Sequence, residues 1–213
     1  MTRSFRNLLL AAAAVLVLPA QATSFDAVLA QVSQVLTQAT GTASATSAGA
    51  PKESDIEIAF SPNQGALDLV IKNIASARST LDVMAYSFTS AEVTRALLQA
   101  VKRGVNVRLI IDQEQNFKPG NGYAKTMSAM SALGTAGAQI RVISRYPSFH
   151  HKVAISDGKH VQTGSFNYSH AAATRNAENV IVLWNAPQAA RIYSRQFENH
   201  WNEADPFQGR PQR

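Results

Sequence analysis

The chain has 213 residues, of which 46% are hydrophobic and 16% are charged. This is enough apolar material for one globular core, and it excludes a wholly disordered protein. The chain contains no cysteine, which excludes a disulfide scaffold, a cysteine nucleophile and an iron–sulfur cluster. Lys and Arg outnumber Asp and Glu by 20 to 14, a mild excess that solubility alone can explain.

Residues 1–22 have the layout of a secretory signal peptide. Arg3 and Arg6 precede an unbroken apolar run over residues 8–18, and Ala20-Gln21-Ala22 fits a small-x-small cleavage site. The run is shorter than the ~20 apolar residues that span a membrane. We therefore predict cleavage after Ala22, a periplasmic or secreted destination, and no integral membrane segment in the mature chain.

The remaining chain divides into three predicted parts. Residues 23–54 are dominated by small and polar side chains, and we interpret them as a low-complexity linker segment. Residues 55–207 carry regular hydrophobic periodicity and form the predicted folded domain. Residues 208–213 form a short tail.

Strands and helices alternate from residue 55. A short strand over 56–60 precedes a helix with an apolar stripe at positions 67, 70, 71 and 74. After a strand over 81–86, Thr89-Ser90-Ala91-Glu92 is a capping box that begins a helix, and Gly104 ends that helix. The strand over 105–111 is strongly apolar, as burial on both faces requires.

The second half of the domain changes pattern. A helix over 123–133 and a strand over 139–143 continue the alternation, and strands over 151–156 and 160–163 then flank Asp157-Gly158, a hairpin turn signal. A strand over 180–184 and a helix over 187–201, with Pro187 in its first turn, complete the domain. The order predicts an α/β fold with a mixed β-sheet flanked by helices.

Polar side chains cluster between residues 150 and 178. Because side chains alternate along a strand, His150, Lys152 and Ala154 share one face, while His151 lies on the opposite, apolar face. Ser165 and Asn167 can repeat this spacing on a neighbouring segment. An imidazole, an ammonium, a hydroxyl and an amide that converge on one point suit a phosphodiester. Glu178 can orient an imidazole by accepting its second N–H.

This segment resembles the phospholipase D superfamily, whose signature is H-x-K, four residues, D, six residues and G-S-x-N. The matching residues, without a gap, are His150, Lys152, Asp157, Gly164, Ser165 and Asn167. The single copy of the motif, the leader and the length are similar to the small bacterial endonucleases of that superfamily. The resemblance implies a phospholipase D-like α/β/α sandwich and makes residues 55–207 the catalytic domain.

The resemblance also implies a mechanism without a metal or another cofactor. One histidine attacks phosphorus to form a phosphohistidine, and a second histidine from a second motif protonates the leaving oxygen. Carried over to this chain, His150 is the nucleophile or acid, Lys152, Ser165 and Asn167 hold the phosphate oxygens, and Glu178 orients His150. Asp157 completes the catalytic signature, and we expect it to support local geometry. One motif per chain implies a homodimer with a composite site.

Several functions remain open at this stage. DNA, or RNA, is the predicted substrate, and cleavage is expected to have little sequence preference. A phospholipid of the phosphatidylcholine type is the first alternative. A catalytically inactive nucleic-acid-binding module is the second.

Other side chains outside the motif were considered for a role in the site. Arg141, Arg145, Lys159 and Arg175 form either a basic rim for nucleic acid or scattered surface charge. Asp112 and Glu114 follow a strand and are expected to be solvated loop acids. Aromatic side chains that could stack on bases, with core packing as the alternative, are Phe117, Tyr123 and Tyr146. The other histidines are expected to be structural, although His170 is a candidate to line the cleft.

Overall fold

The computed structural model describes residues 55–120 and 122–209, and it contains one mixed β-sheet. The strands are β1 (Ile56–Ser61), β2 (Thr80–Ala85), β3 (Asn106–Asp112), β4 (Gln139–Ile143), β5 (Lys152–Ser156), β6 (His160–Gly164), β7 (Glu178–Leu183) and β8 (Asp205–Pro206). The helices are α1 (Ala66–Ser76), α2 (Ala91–Lys102), α3 (Gln113–Phe117), α4 (Tyr123–Ala136), α5 (His170–Thr174) and α6 (Pro187–Glu203). The predicted signal peptide and linker lie outside the described residues.

The strand order explains how distant segments meet. The sheet runs β1-β7-β6-β5-β2-β3-β4-β8, with β2, β3 and β4 parallel and the remaining pairs antiparallel. The carboxyl ends of β2, β3, β4 and β6 and the amino ends of β5 and β7 therefore lie along one edge. We call this the catalytic edge, because all motif residues except Asp157 gather there.

The two faces of the sheet are covered by different helices. On one face, α1, α2 and α4 pack over a large core that includes Leu69, Leu97 and Leu109. On the other face, α6 covers a smaller core that includes Met84, Ile110 and Val153, through Phe197 and Trp201. The predicted mixed sheet between helix layers is confirmed. None of the helices in the described ranges is long and apolar enough to cross a membrane.

Most predicted elements are confirmed, with small shifts at their ends. The N-cap of α2 is Ser90, whose Oγ accepts from the N–H of Val93, so the N-cap lies one residue after the one predicted at Thr89 and the predicted capping box does not form. Three short elements were not predicted from the sequence: α3, α5 and β8, which have five, five and two residues. Elements this short carry too few residues to display a period.

Candidate active site

His150 and Lys152 lie where the chain enters β5, beside the end of β2. Ala85 pairs with Lys152, and the N–H of Tyr86 donates to the carbonyl of His151 at 2.8 Å. The strand parity predicted from sequence is confirmed, since Ala154 joins the core under α1 while Val153 and Ile155 join the core under α6. His150 is exposed at the catalytic edge, as a nucleophile must be.

His151 and His200 pack together on the α6 side of the sheet, away from His150. Their ring centroids lie 5.3 Å apart, and both rings contact Phe149. The pKa of His151 is lowered by burial and by the positive charges of His200, Lys152 and His150. His151 therefore has the packing role predicted for it. His160 lies at the opposite end of the sheet, where its Nδ1 accepts from the N–H of Asn185.

Lys152 is a buried cation, with only 5% of its surface exposed. Its Nζ donates to the carbonyl of His150 at 3.0 Å and lies 4.9 Å from the ring centroid of Tyr86. Burial lowers the pKa of Lys152 to about 8, against the opposing charge of Glu178. A desolvated ammonium interacts more strongly with an anion than a solvated one does, so this position suits a phosphate oxygen.

The surroundings of His150 favour its neutral form. Burial and the Lys152 ammonium lower the pKa of His150, while Asp112 acts to raise it. The ring of Tyr86 packs against it, with the centroids 4.5 Å apart and the planes tilted by 59°. A neutral imidazole has the free lone pair that nucleophilic attack requires.

The segment after β6 brings Ser165 and Asn167 to the same edge. Phe166 and Tyr168 are buried and anchor the segment, so the alternate side chains Ser165 and Asn167 point away from the core. The φ of Gly164 is +140°, and a Cβ there would lie 2.2 Å from the carbonyl oxygen of Asn179. Only glycine allows this close approach of β6 to β7.

Asn167 retains unused hydrogen-bonding capacity. Its Oδ1 is buried and has no hydrogen-bond partner among the described residues. Most buried side-chain polar atoms are paired, and an exception is common where a ligand binds. Oδ1 can only accept a hydrogen bond, so a phosphate oxygen would have to be bound by Nδ2 of the same amide, which can donate.

Glu178 does not have the position predicted for it within a single chain. Its carboxylate accepts from Ser165 Oγ at 2.6 Å and from Asn176 Nδ2 at 3.0 Å. We predicted that it would orient His150, but His150 is not among its hydrogen-bond partners. Glu178 instead holds the Ser165 hydroxyl and partly balances the charge of Lys152.

Asp157 lies at the far end of β5 and cannot take part in chemistry at His150. Its carboxylate accepts from the N–H groups of Arg78, Ser79 and Thr80 at 2.8–3.1 Å. Partial burial acts to raise the pKa of Asp157, but these hydrogen bonds outweigh burial and lower it to about 2. Grouping Asp157 with the catalytic residues is therefore corrected, whereas its expected support of local geometry matches its contacts.

Asp112 was expected to be a solvated loop acid, and this was wrong. It is 1% exposed, and its carboxylate accepts from the N–H of Phe149 and of Gln115, each at 2.7 Å. It thereby caps α3 and fixes the residue before His150. Asn116 adds a second brace, since its side chain bonds the carbonyl of Tyr86 and the N–H of Phe88.

Two of the four residues considered for a basic rim have other positions. Arg141 donates to the carbonyls of Trp201 and Ala204 and stabilises the end of α6, and Lys159 lies at the far end of β5. Phe117 stacks on Phe207 instead of facing the edge. Tyr146 hydrogen-bonds Glu203.

A separate cleft of about 500 Å³ lies between α2 and α4, and His170 is one of the residues that line it. The cleft is also lined by two positively charged side chains, Arg95 and Lys125, and by one carboxylate, Glu92. The cleft adjoins the motif, because the N–H groups of Thr89 and Ser90 donate to the carbonyl of Tyr168. No group of three or more His, Asp or Glu side chains in the described part of the chain could hold a metal ion.

Comparisons with known proteins agree with this geometry. Residues 70–201 match a family described as cardiolipin synthase, PLD-like domain. A mitochondrial cardiolipin hydrolase of Danio rerio is 33% identical over 144 residues, which are 67% of this chain and 60% of that protein. A phospholipase D of Rickettsia bellii is 36% identical over 137 residues, 64% of each chain. The chain thus spans less than two thirds of the length of these relatives.

Two solved structures are similar over most of the domain. Nuc from Salmonella typhimurium, a phospholipase D family member, is 36% identical with a TM-score of 0.69, over 73% of this chain and 99% of that one. NucT from Helicobacter pylori has a TM-score of 0.64 at 23% identity, over 73% of this chain and 100% of that one. At that identity the second likeness concerns the fold alone.

Proposed function

Since the chain belongs to the phospholipase D superfamily, we propose that it is a phosphodiester hydrolase that cleaves DNA without a metal ion, through a phosphohistidine. The observation that carries this proposal is the position of the exposed His150 beside the buried Lys152 ammonium, whose Nζ donates to the carbonyl of His150 at 3.0 Å. This pair supplies a nucleophile and a fixed positive charge for the anionic oxygens.

The proposed reaction has two steps. A ring nitrogen of His150 attacks phosphorus and forms a P–N bond, the P–O bond to the leaving group breaks, and an imidazolium donates a proton to the departing oxygen. Water then attacks phosphorus, gives its proton to the imidazole that acted as acid, and releases His150. Lys152 and Asn167 contact the phosphate oxygens in both steps, assisted by Ser165.

The second imidazole comes from a second copy of the chain. Of the other described histidines, His151 and His200 pack together under α6, His160 lies at the far end of the sheet, and His170 lines the separate cleft. One chain thus offers a single well-placed imidazole, while the reaction needs one on each side of phosphorus. A homodimer with a composite site meets this need.

Nucleic acid is the proposed substrate because a polyanion fits the charge of the chain. The formal net charge is +6, or +4 without Arg3 and Arg6 of the predicted signal peptide, and the cleft beside the motif carries Arg95, Lys125 and His170 against Glu92. Phospholipid is the second candidate, because relatives are named cardiolipin hydrolase and phospholipase D. Apolar side chains exposed on β1 also favour it.

A parallel assay separates these substrates. The protein is incubated with plasmid DNA, and with vesicles of phosphatidylcholine or cardiolipin, with and without EDTA, beside a His150→Ala control. We expect DNA cleavage that persists in EDTA and is absent in the control. Cleavage of lipid alone would establish the second candidate, and a requirement for added Mg²⁺ or Zn²⁺ would refute the mechanism. Binding of DNA without any cleavage would instead indicate an inactive module.

We further propose export to the periplasm or the exterior of the cell. The basic start, apolar run and small-x-small site in residues 1–22 support this location. Cell fractionation and N-terminal sequencing test it. The expected mature chain begins at Thr23.

A further inference from the structure

His150 lies outside any strand, on the connection between β4 and β5. Its side chain is exposed, so core packing does little to fix it. The backbone on either side of it is held instead. The N–H of Phe149 donates to Asp112 Oδ2 at 2.7 Å, and the N–H of Tyr86 donates to the carbonyl of His151 at 2.8 Å. The position of His150 therefore depends on what holds Asp112 and Tyr86.

One short helix, α3, holds both of these residues. Asp112 is the N-cap of α3, where its Oδ1 accepts from the N–H of Gln115 at 2.7 Å. Four residues later, the buried amide of Asn116 donates to the carbonyls of Asp112 and Tyr86. The same amide accepts from the N–H of Phe88 at 2.9 Å. We call Asp112 and Asn116 the α3 clamp, because together they hold the segments on both sides of His150.

The Asp112 carboxylate is buried without a cation. Two acids are buried in the described part of the chain, and the other one, Asp82, is paired with Arg108 at 2.7 Å. None of the ion pairs among the described side chains includes Asp112. A buried charge that lacks an opposite charge is costly, and two N–H donors offset only part of that cost. A positive charge that forms close by is therefore stabilised by Asp112.

Such a charge arises on His150 in both of its proposed roles. A ring nitrogen that forms the P–N bond gives up its lone pair, so the ring becomes positive while its second nitrogen keeps its proton. The imidazole that acts as acid starts out as an imidazolium. Asp112 acts to raise the pKa of His150, against burial and the charge of Lys152. Its charge therefore favours the positive form of the ring.

We infer that the α3 clamp positions His150 for attack, and that the Asp112 carboxylate stabilises the positive charge that the imidazole gains. Within one chain, Glu178, the carboxylate predicted to serve His150, bonds Ser165 instead. Asp112 and Asn116 touch no reacting atom and act through the backbone beside His150, so they are positioning residues. The inference rests on the proposed function for its reaction, but the effect of Asp112 on His150 can be measured without turnover.

Three variants separate the geometry of the clamp from its charge. Asp112→Asn removes the charge and one hydrogen-bond acceptor, whereas Asn116→Ala breaks the clamp and keeps the charge. Glu114→Gln is the matched control, because it removes another carboxylate of α3, which is 56% exposed and paired with Lys118. For each chain, kcat and KM are measured with plasmid DNA. The pKa of His150 is measured by NMR titration of the histidine rings, and its signal is the one absent from His150→Ala.

We expect kcat to fall about tenfold or more in Asp112→Asn and in Asn116→Ala, with a much smaller change in KM, since a misplaced nucleophile impairs the chemical step. The pKa of His150 should fall in Asp112→Asn, because the carboxylate that favours the imidazolium is gone. It should not fall in Asn116→Ala, where Asp112 remains. Glu114→Gln should match wild type in both measurements, because solvent screens its charge.

Each contrary outcome removes a defined part of the inference. An unchanged pKa of His150 in Asp112→Asn, or an equal fall in Glu114→Gln, overturns the role of the Asp112 charge. Full kcat in Asn116→Ala overturns the clamp. Circular dichroism identifies the folded chains, and Asp112→Ser, which can still cap α3, replaces Asp112→Asn if that chain does not fold. A wild-type chain that cleaves neither DNA nor lipid refutes the proposed function, while the pKa comparison still decides the role of Asp112.

Discussion

At the scale of single residues, the site depends on two neighbouring groups that must be in opposite protonation states. His150 must be neutral to attack, and Lys152 must be charged to hold the phosphate. Burial lowers the pKa of both groups. The lowered pKa of His150 favours its reactive form, but the lowered pKa of Lys152 brings the loss of its charge close to physiological pH.

We therefore predict a bell-shaped pH dependence of kcat/KM for DNA cleavage. The acid limb follows protonation of His150. The alkaline limb has two causes: the His150 that acts as the acid loses its proton, and the Lys152 ammonium, present below its pKa of about 8, is lost as the pH rises through that value. In Lys152→Arg the guanidinium stays charged, so the loss of activity near pH 8 should disappear and only the loss due to the imidazole should remain. An alkaline limb unchanged in Lys152→Arg would show that another group titrates there.

Tyr86 is the second residue with a testable role. Its ring packs against His150 and lies beneath the Lys152 ammonium. We expect Tyr86→Phe to retain most activity, and Tyr86→Ala to lower kcat about tenfold or more, since small misplacements of reacting groups are costly. Removing the ring also exposes His150 to water, so the acid limb of the pH profile should shift upward. Equal loss in both variants, without that shift, would contradict a positioning role for the ring.

At the scale of elements, the β5–β6 hairpin is tied to the start of β2 through one carboxylate. Asp157 adopts φ +53° in the turn and accepts hydrogen bonds from three consecutive N–H groups, those of Arg78, Ser79 and Thr80. These groups lie 77–79 residues away in sequence. These hydrogen bonds fix the carboxyl end of β5, the strand that begins with Lys152.

We predict that Asp157→Asn destabilises the protein without impairing the folded enzyme. Hydrogen bonds to a charged group contribute about 1–3 kcal/mol, which urea unfolding at pH 7 would measure. The pKa of Asp157 is lowered to about 2, so its contribution is present above the unfolded value of ~3.9 and is lost as the pH falls through 2. The difference in free energy of unfolding between wild type and variant should therefore decrease as the pH falls from ~3.9 to about 2. A stable but inactive variant would return Asp157 to the catalytic group.

At the scale of the whole molecule, the site is expected to be complete only in a pair of chains. The described part of one chain brings a single imidazole to the catalytic edge. A symmetric pair supplies the second imidazole and a second ammonium from the same residues. The reaction thereby gains an acid without a second motif in the sequence.

Mixing subunits tests this expectation. Wild-type chains are refolded together with an increasing excess of His150→Ala chains, so that most wild-type chains enter mixed dimers with one imidazole per site. Activity per wild-type chain should fall steeply as the excess grows. A size tag on one partner confirms the exchange. Constant activity per wild-type chain at every ratio would mean that each subunit works alone.

Most helices and strands, and the residues of the motif, could be predicted from the sequence. Strand parity assigned His150 and His151 to opposite faces, and Asp157-Gly158 located the hairpin between β5 and β6. These features depend on side-chain period and turn chemistry, which are local properties of the chain. Short elements such as α3 could not be predicted, because five residues are too few to show a hydrophobic period.

Which distant residues meet at the site depends on the strand order and the packing of the whole domain. Asp112 became a buried brace for Phe149, Tyr86 became the neighbour of His150, and Glu178 bound Ser165 instead of His150. The exposure of Ile56, Ile58 and Phe60 on β1 could not be predicted from the sequence either. A strand alternates its side chains in the same way whether or not a helix covers it. These outcomes depend on the strand order β1-β7-β6-β5-β2-β3-β4-β8, which sets contacts between segments far apart in the chain and which no local pattern encodes.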